Sequence, residues 1–219
     1  MLSDCKILNL YAGIGGNRKL WDCNNITAVE LDENIAAIYK DFFPNDKVIV
    51  GDAHDYLLDH FSEFDFIWSS PPCPTHSRTR TMQKKKIYPD MALYQEIIFL
   101  SKWFKGKYIV ENVIPYYKPL ITPNMILHRH CIWNNFSIRN IKFKKLETCK
   151  KRGERDFLQK EFNFNIEKYS GIDKRKILRN CVIPEMGLHI LNCAMNEDIV
   201  KEEFLFARQD AEPQADNCI

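Results

Sequence analysis

Phe64-Asp65-Phe66-Ile67-Trp68-Ser69-Ser70-Pro71-Pro72-Cys73-Pro74 is the stretch on which the reading of this chain turns. Phe64 to Trp68 is a short apolar run of the kind that forms a buried strand. The prolines end it, because proline fixes φ and offers no amide to a sheet. Cys73 is thereby placed on a stiff loop at the carboxyl edge of a sheet, where open α/β folds bind ligands. Taken alone, the same residues also suit a structural thiol in a proline-rich turn, since cysteine often packs as a small hydrophobe.

The flanking sequence supplies the sheet. Lys6 to Tyr11 is a strand candidate that runs into Ala12-Gly13-Ile14-Gly15-Gly16, where the backbone can bend tightly and approach a ligand. Asn17 to Trp21 reads as a helix start, so backbone amides would face a cofactor there. Ile26 to Leu31 is a second strand, ending on Glu30 and Asp32. An acid at that point is placed to hold ribose hydroxyls. Asp32 also suits the N-cap of a helix from Glu33 to Phe43, with Ile35, Ile38, Tyr39 and Phe42 on one face and Pro44 as its stop. Val48 to Val50 is a third strand, followed by Gly51-Asp52. Beyond the cysteine, Thr75 to Tyr88 is polar and basic and reads as a mobile loop. Met91 to Phe104 is an amphipathic helix, and Tyr108 to Val110 a fifth strand that ends in Glu111-Asn112-Val113. Such alternation argues for an α/β fold with a doubly wound, mostly parallel sheet. After Pro115 the alternation fades. Leu127 to Phe143 turns β-like, Glu161 to Ser170 is irregular, and Glu185 to Met195 is a last helix. Residues 197–219 read as a frayed acidic tail.

Charge is distributed unevenly along a 219-residue chain of net charge +2. Residues 1–65 hold 5 Lys/Arg against 12 Asp/Glu, net −7, whereas residues 66–108 hold 8 against 2 and residues 138–160 hold 9 against 3, each net +6. Two basic blocks suggest one basic face and an anionic partner such as nucleic acid, although two solvated lysine-rich loops would give the same counts. The eight cysteines show no paired spacing, and no leader or membrane-spanning run is evident. The expectation is reduced thiols in a cytoplasmic protein that spans no membrane.

The order Ala12-Gly13-Ile14-Gly15-Gly16, acidic strand end, Gly51-Asp52-Ala53, Pro72-Cys73 and Glu111-Asn112-Val113 resembles the DNA (cytosine-5) methyltransferases. The likeness covers residues 6–113, and Arg179-Asn180-Cys181-Val182-Ile183-Pro184 looks like that family's last block. Ser69-Ser70 stands where the family usually has two glycines, and Pro74 where it has glutamine. The chain is similar to the compact versions carried by bacteriophages, which would place it in a bacterial host's cytoplasm. The resemblance implies a Rossmann-like S-adenosylmethionine-dependent methyltransferase fold. It implies a catalytic and cofactor-binding domain over 1–128, a reduced target-recognition region over 129–176 and a returning segment over 177–196. It implies S-adenosylmethionine as cofactor, held by the Ala12 to Gly16 turn, Glu30, Asp52 and Asn180, and no metal. The partner implied is double-stranded DNA with a flipped cytosine, met by a monomer.

The chemistry implied is specific. A thiolate from Cys73 adds to C6 of cytosine, which breaks the aromaticity and makes C5 nucleophilic. Glu111, its pKa raised by burial, protonates N3, and Arg129 stabilises the ring carbonyl and lowers the thiol pKa. Ser77, Arg78, Arg80, Lys84, Lys85 and Lys86 are expected to close over the DNA. Lys144 and Lys145, within the block Lys142 to Arg155, are expected to contact phosphates. Three rivals stand beside this. An amino-methyltransferase acting on cytosine N4 or adenine N6 would need no nucleophilic cysteine. A DNA-binding homologue with weak or lost catalysis would fit the serines and the short second half. A metal module built on His128, His130, Cys131 and Cys149 matches no common zinc spacing.

Overall fold

Runs of four or five apolar residues become the central strands, and the residues between them decide how each connects. The computed structural model describes residues 4–82, 87–144 and 153–196. The first strand, β1 (Ile7–Leu10), is followed by β2 (Ile26–Glu30), helix α1 (Glu33–Phe42), β3 (Lys47–Val50), α2 (Ala53–His60), β4 (Phe66–Ser69), α3 (Ala92–Trp103) and β5 (Lys107–Val113). Two antiparallel strands, β6 (Met125–Leu127) and β7 (His130–Asn134), extend the sheet, and α4 (Glu154–Phe162), α5 (Lys174–Asn180) and α6 (Pro184–Met195) follow.

The seven strands lie in the order β3-β2-β1-β4-β5-β7-β6. The pairs among β1 to β5 are parallel, and β7 runs antiparallel to both β5 and β6. The chain winds one way from β1 to β3 and the other way from β4, so the switch point falls between β1 and β4. Alternate side chains of each strand feed two apolar layers. One holds Ile7, Ala28, Trp68 and Ile109 against α1 and α6. The other holds Leu8, Leu10, Ile67 and Val110 against α2 and α3. Helices cover both faces, as a doubly wound sheet requires.

The expected helix at Asn17 to Trp21 is a series of turns instead, with Lys19 N bonded to Gly16 O and Trp21 N to Arg18 O. Only residues 11–25 connect β1 to β2, and the glycine turn uses the first of them; too few remain for a helix that runs back along the sheet. Side chains fix the turns. Asn17 Nδ2 donates to Asn9 Oδ1 inside the sheet at 2.8 Å, and Arg18 grips Asp46 through Nε (2.9 Å) and Nη2 (3.2 Å).

Thr75 to Tyr88 also departs from expectation, because its described parts are anchored. Ser77 bridges Pro115, Tyr116 N bonds to His76 O at 3.1 Å, and Arg78–Met82 is a 3₁₀ turn. His76 is buried, with Nδ1 at 2.6 Å from the Tyr117 hydroxyl. These anchors come from the connection after β5, which a reading of the loop's own residues does not reveal. The segments expected to be merely basic (142–155) and irregular (161–170) meet in α4, and α5 follows at Lys174–Asn180, where no helix was expected. Leu158, Phe162, Phe164 and Ile166 join the same apolar layer as Ile7 and Trp68. Residues 130–134, expected in the recognition region, form β7 inside the sheet.

Candidate active site

The carboxyl ends of five strands bring the candidate groups to one edge. Leu10 is in register with Val29 and with Ser69, and Ser69 with Val110. Tyr11, Glu30, Asp52, Ser70 and Glu111 therefore all emerge just past the same line. β5 runs three residues beyond the end of β4, and β7 carries that extension by pairing Glu111 with Ile132 and Val113 with His130.

The Pro-Cys loop is fastened from below and from the side. Asn112 Nδ2 donates to Pro71 O at 2.9 Å, and His76 N and Ser77 N both donate to Cys73 O at 3.0 Å. Ser69 and Ser70, adjacent on one strand end, face opposite layers. Ser69 Oγ donates to Glu96 of α3, which also accepts the Tyr11 hydroxyl. Ser70 Oγ accepts Trp68 Nε1–H at 2.8 Å and lies 2.9 Å from Glu111 Oε2.

Glu111 is buried, and loss of hydration raises its pKa to about 7; the Ser70 bond and the charge of Arg129 oppose that rise. His130 Nε2 lies 3.4 Å from Glu111 Oε1. Burial, together with the charge of Arg129, lowers the His130 pKa to about 3, so the imidazole is neutral at ordinary pH. Arg129 Nη2 donates to Arg179 O at 3.0 Å, while its Nε and the Nδ1 atoms of His128 and His130 are buried with no hydrogen-bond partner among the described residues. Unsatisfied buried donors beside a cysteine loop are what a polar ligand would complete.

Arg129 acts on the Cys73 thiol in the expected direction, but burial outweighs it. The Cys73 thiol is raised above its usual range, chiefly by burial and then by the charge of Glu111. Arg129 and Lys176 pull it down, but desolvation outweighs them. The thiol therefore rests protonated.

On the cofactor side, Glu30 Oε2 accepts Gly13 N at 2.8 Å and its Oε1 accepts Asp32 N at 3.0 Å, which fixes the carboxylate at the edge. Asp52 Oδ1 caps α2 through His54 N (2.8 Å) and Asp55 N (3.1 Å). Gly13 has φ +55° with open space where a Cβ would stand. Gly15 and Gly16 instead serve packing: a Cβ would meet the Phe43 ring at 2.4 Å in the first case and Cys181 and Val182 at 2.7 Å in the second. Ala12 and Ile14 are buried, and Asn180 is exposed at the end of α5, next to Cys181 under Gly16. Leu31 and Val50, 69% and 51% exposed, leave apolar surface beside Glu30 and Gly51.

Among the expected DNA contacts, Ser77 and Arg80 are half-buried on the anchored loop, Arg78 is exposed and only partly offsets the rise that burial and Glu111 impose on the Cys131 thiol, and Lys144 is paired with Glu161 at 2.7 Å. Lys84, Lys85, Lys86 and Lys145 lie outside the described residues, as does Cys149. Sequence reading missed Ser70 and Glu96, and offered His130 only as a metal ligand, not as a neighbour of Glu111. Glu96 did leave a signal: it shares a helical face with Leu93, Ile97 and Leu100, where a charge must find partners.

A family model described as C-5 cytosine-specific DNA methylase matches residues 5–120, just over half of the chain. The chain belongs to that family. Members transfer a methyl group, and S-adenosylmethionine is the donor. The carboxyl edge fits it: the open turn at Gly13, the fixed Glu30 carboxylate and the apolar surface of Leu31 and Val50 suit an amino-acid end, a ribose and a purine in turn. No curated protein matches the chain. Among solved structures, a hypothetical protein of Thermus thermophilus is 15% identical over 59% of this chain and 73% of its own, with a TM-score of 0.41. A mutant of DNMT2 from Spodoptera frugiperda is 25% identical over 50% of this chain and 36% of its own, with a TM-score of 0.37. NSun6 from Pyrococcus horikoshii is 18% identical over 52% and 34%, with a TM-score of 0.41. Among the described residues, no helix is long and apolar enough to cross a membrane.

Proposed function

We propose that the chain methylates C5 of cytosine in DNA through a transient bond between Cys73 and C6. The observation that supports this most is the pairing of a cysteine loop with Glu111, a buried acid that can hold its proton near neutrality. The Cys73 thiol gives its proton to solvent and its sulfur electron pair forms the S–C6 bond. The C5–C6 double bond shifts electron density to the ring, and N3 takes the proton of Glu111. Arg129 faces the charge that develops on the ring carbonyl. S-adenosylmethionine supplies the methyl group that C5 accepts. The C5 proton then leaves to water, the S–C6 bond breaks with return of its electron pair to sulfur, and Glu111 recovers the proton from N3. Cysteine suits both halves, since sulfur attacks and departs readily.

A stacked cytosine cannot reach a buried site, so the base would be flipped at a cost of about a few kcal/mol. Phosphate contacts from Ser77, Arg78, Arg80, Lys84, Lys85, Lys86, Lys144 and Lys145 would offset it, with 129–176 as the recognition region, of which His130–Asn134 doubles as β7.

DNA containing 5-fluorocytosine tests the reading directly, because fluorine at C5 cannot leave as a cation. Incubated with the methyl donor, the protein should form a stable adduct whose crosslinked peptide contains Cys73. An adduct mapped elsewhere, or methylation without any adduct, would sink the proposal. Bisulfite sequencing of DNA from expressing cells would then report the sequence context.

A further inference from the structure

The hydroxyl of Ser70 has its direction set by its neighbours. Trp68 Nε1 can only donate, and it donates to Ser70 Oγ at 2.8 Å. The serine hydrogen is thus turned away from the indole, toward Glu111 Oε2 at 2.9 Å. Glu111 Oε2 is therefore occupied as an acceptor. Among the described residues, its partner oxygen, Oε1, faces only the long 3.4 Å contact with His130 Nε2. We infer that Ser70 is a positioning residue for methyl transfer: oriented by Trp68, it claims Oε2 of Glu111 and leaves Oε1 as the oxygen that carries the transferable proton.

The arrangement has chemical content. A neutral carboxyl with both oxygens unengaged would place its proton on either, and half of those placements would be wrong for any one substrate pose. A donor locked onto one oxygen removes that ambiguity. The same bond also stabilises the ionised form, which favours release of the proton from Glu111. The other titratable and charged groups near Glu111 are Cys73 on the loop after β4, and Arg129, His130 and Cys131 at the start of β7. None of these is a neighbour that the Ser70 substitution removes.

This inference rests on the reading of Glu111 as the acid, and its test keeps the two apart. The protonated-carboxyl stretch of Glu111, identified by infrared difference against Glu111→Gln, is titrated in wild type, Ser70→Ala, Ser70→Gly and Ser70→Thr. Loss of the donor should move the midpoint up by about half a unit to one unit in the Ala and Gly variants, and Thr should restore it. The lower limb of the pH profile of kcat/KM should move with it, while the Kd for S-adenosylmethionine stays unchanged. A midpoint in both Ala and Gly variants equal to wild type would overturn the inference, and so would failure of Thr to restore it. If Glu111→Gln keeps full activity, the acid reading fails instead, whatever the Ser70 series shows. Should Ser70→Ala not fold, Ser70→Gly carries the comparison.

Discussion

Glu111 sets a trade between activity and stability at a single position. Its pKa is about 7 in the folded protein against an ordinary carboxyl value of 4.5. The folded state thus binds that proton more tightly than the unfolded chain does. The resulting stabilisation is complete below the unfolded value and disappears as pH rises through about 7. A Gln at 111 keeps the shape without the charge. We expect Glu111→Gln to match wild type in urea unfolding at about pH 4, and to exceed it by about 3 kcal/mol at about pH 8. Equal stabilities at the higher pH would show that Glu111 is not held against its charge. The same substitution should lower kcat by about 10²- to 10⁴-fold. Cys73 adds a second consequence. With the thiol raised and the acid near neutrality, the form that the proposed mechanism requires, ionised sulfur with protonated Glu111, is the minor arrangement of the one-proton state. That state fills as pH rises through about 7 and empties only above the raised thiol value. kcat/KM should therefore climb through neutrality and fall only in the alkaline range; a maximum well below neutrality would contradict the assignment.

At the scale of elements, the loop after β1 is built against α6. A Cβ on Gly187 would come within 2.1 Å of Asn17 O and 2.7 Å of its Cα. No flexible side-chain tip can yield there, because the obstacle is backbone. Gly187→Ala should cost about 1–3 kcal/mol by forcing the helix off the loop, measured as a lowered urea midpoint with unchanged slope. It should also weaken S-adenosylmethionine binding, since Gly13 and the Glu30 contact ride on the same loop. Gly51→Ala is the control, with open space at its Cβ. A Gly187→Ala protein as stable as that control would show that the contact relaxes freely. The expected helix over Asn17 to Trp21 was a reasonable local reading that failed on connection length. Helices α4 and α5 were hidden for a different reason: their apolar residues Leu158, Phe162 and Ile177 are embedded among charges and show their role only once a sheet face is present to receive them.

Across the whole molecule, the basic groups that reach the thiol come from distant parts of the chain. Arg129 precedes β7 and Lys176 lies on α5, yet both oppose the rise that burial and Glu111 impose on the Cys73 thiol. Lys176 is exposed and falls outside both basic blocks of the sequence, so charge counting did not select it. If the partner is DNA, Lys176→Ala should weaken binding to all sequences alike and reduce the slope of log K against log salt by about one. An unchanged slope would remove Lys176 from the phosphate contacts. Lys144, which lies in one of those blocks, is paired with Glu161 and would have to exchange that partner to meet a phosphate.

The sequence alone determined the parallel strands and their punctuation, the cysteine at the switch-point edge, and the acids at strand ends. Those features are local: apolar runs, prolines and glycines act within a few residues of themselves. Tertiary structure decided the state of each group. Ser70 and Glu111 are 41 residues apart in the chain, and Tyr11 and Glu96 are 85 apart. Whether a carboxyl is buried, which oxygen is occupied and whether a thiol rests protonated depend on desolvation and hydrogen-bond partners, and both are set by which strands lie side by side.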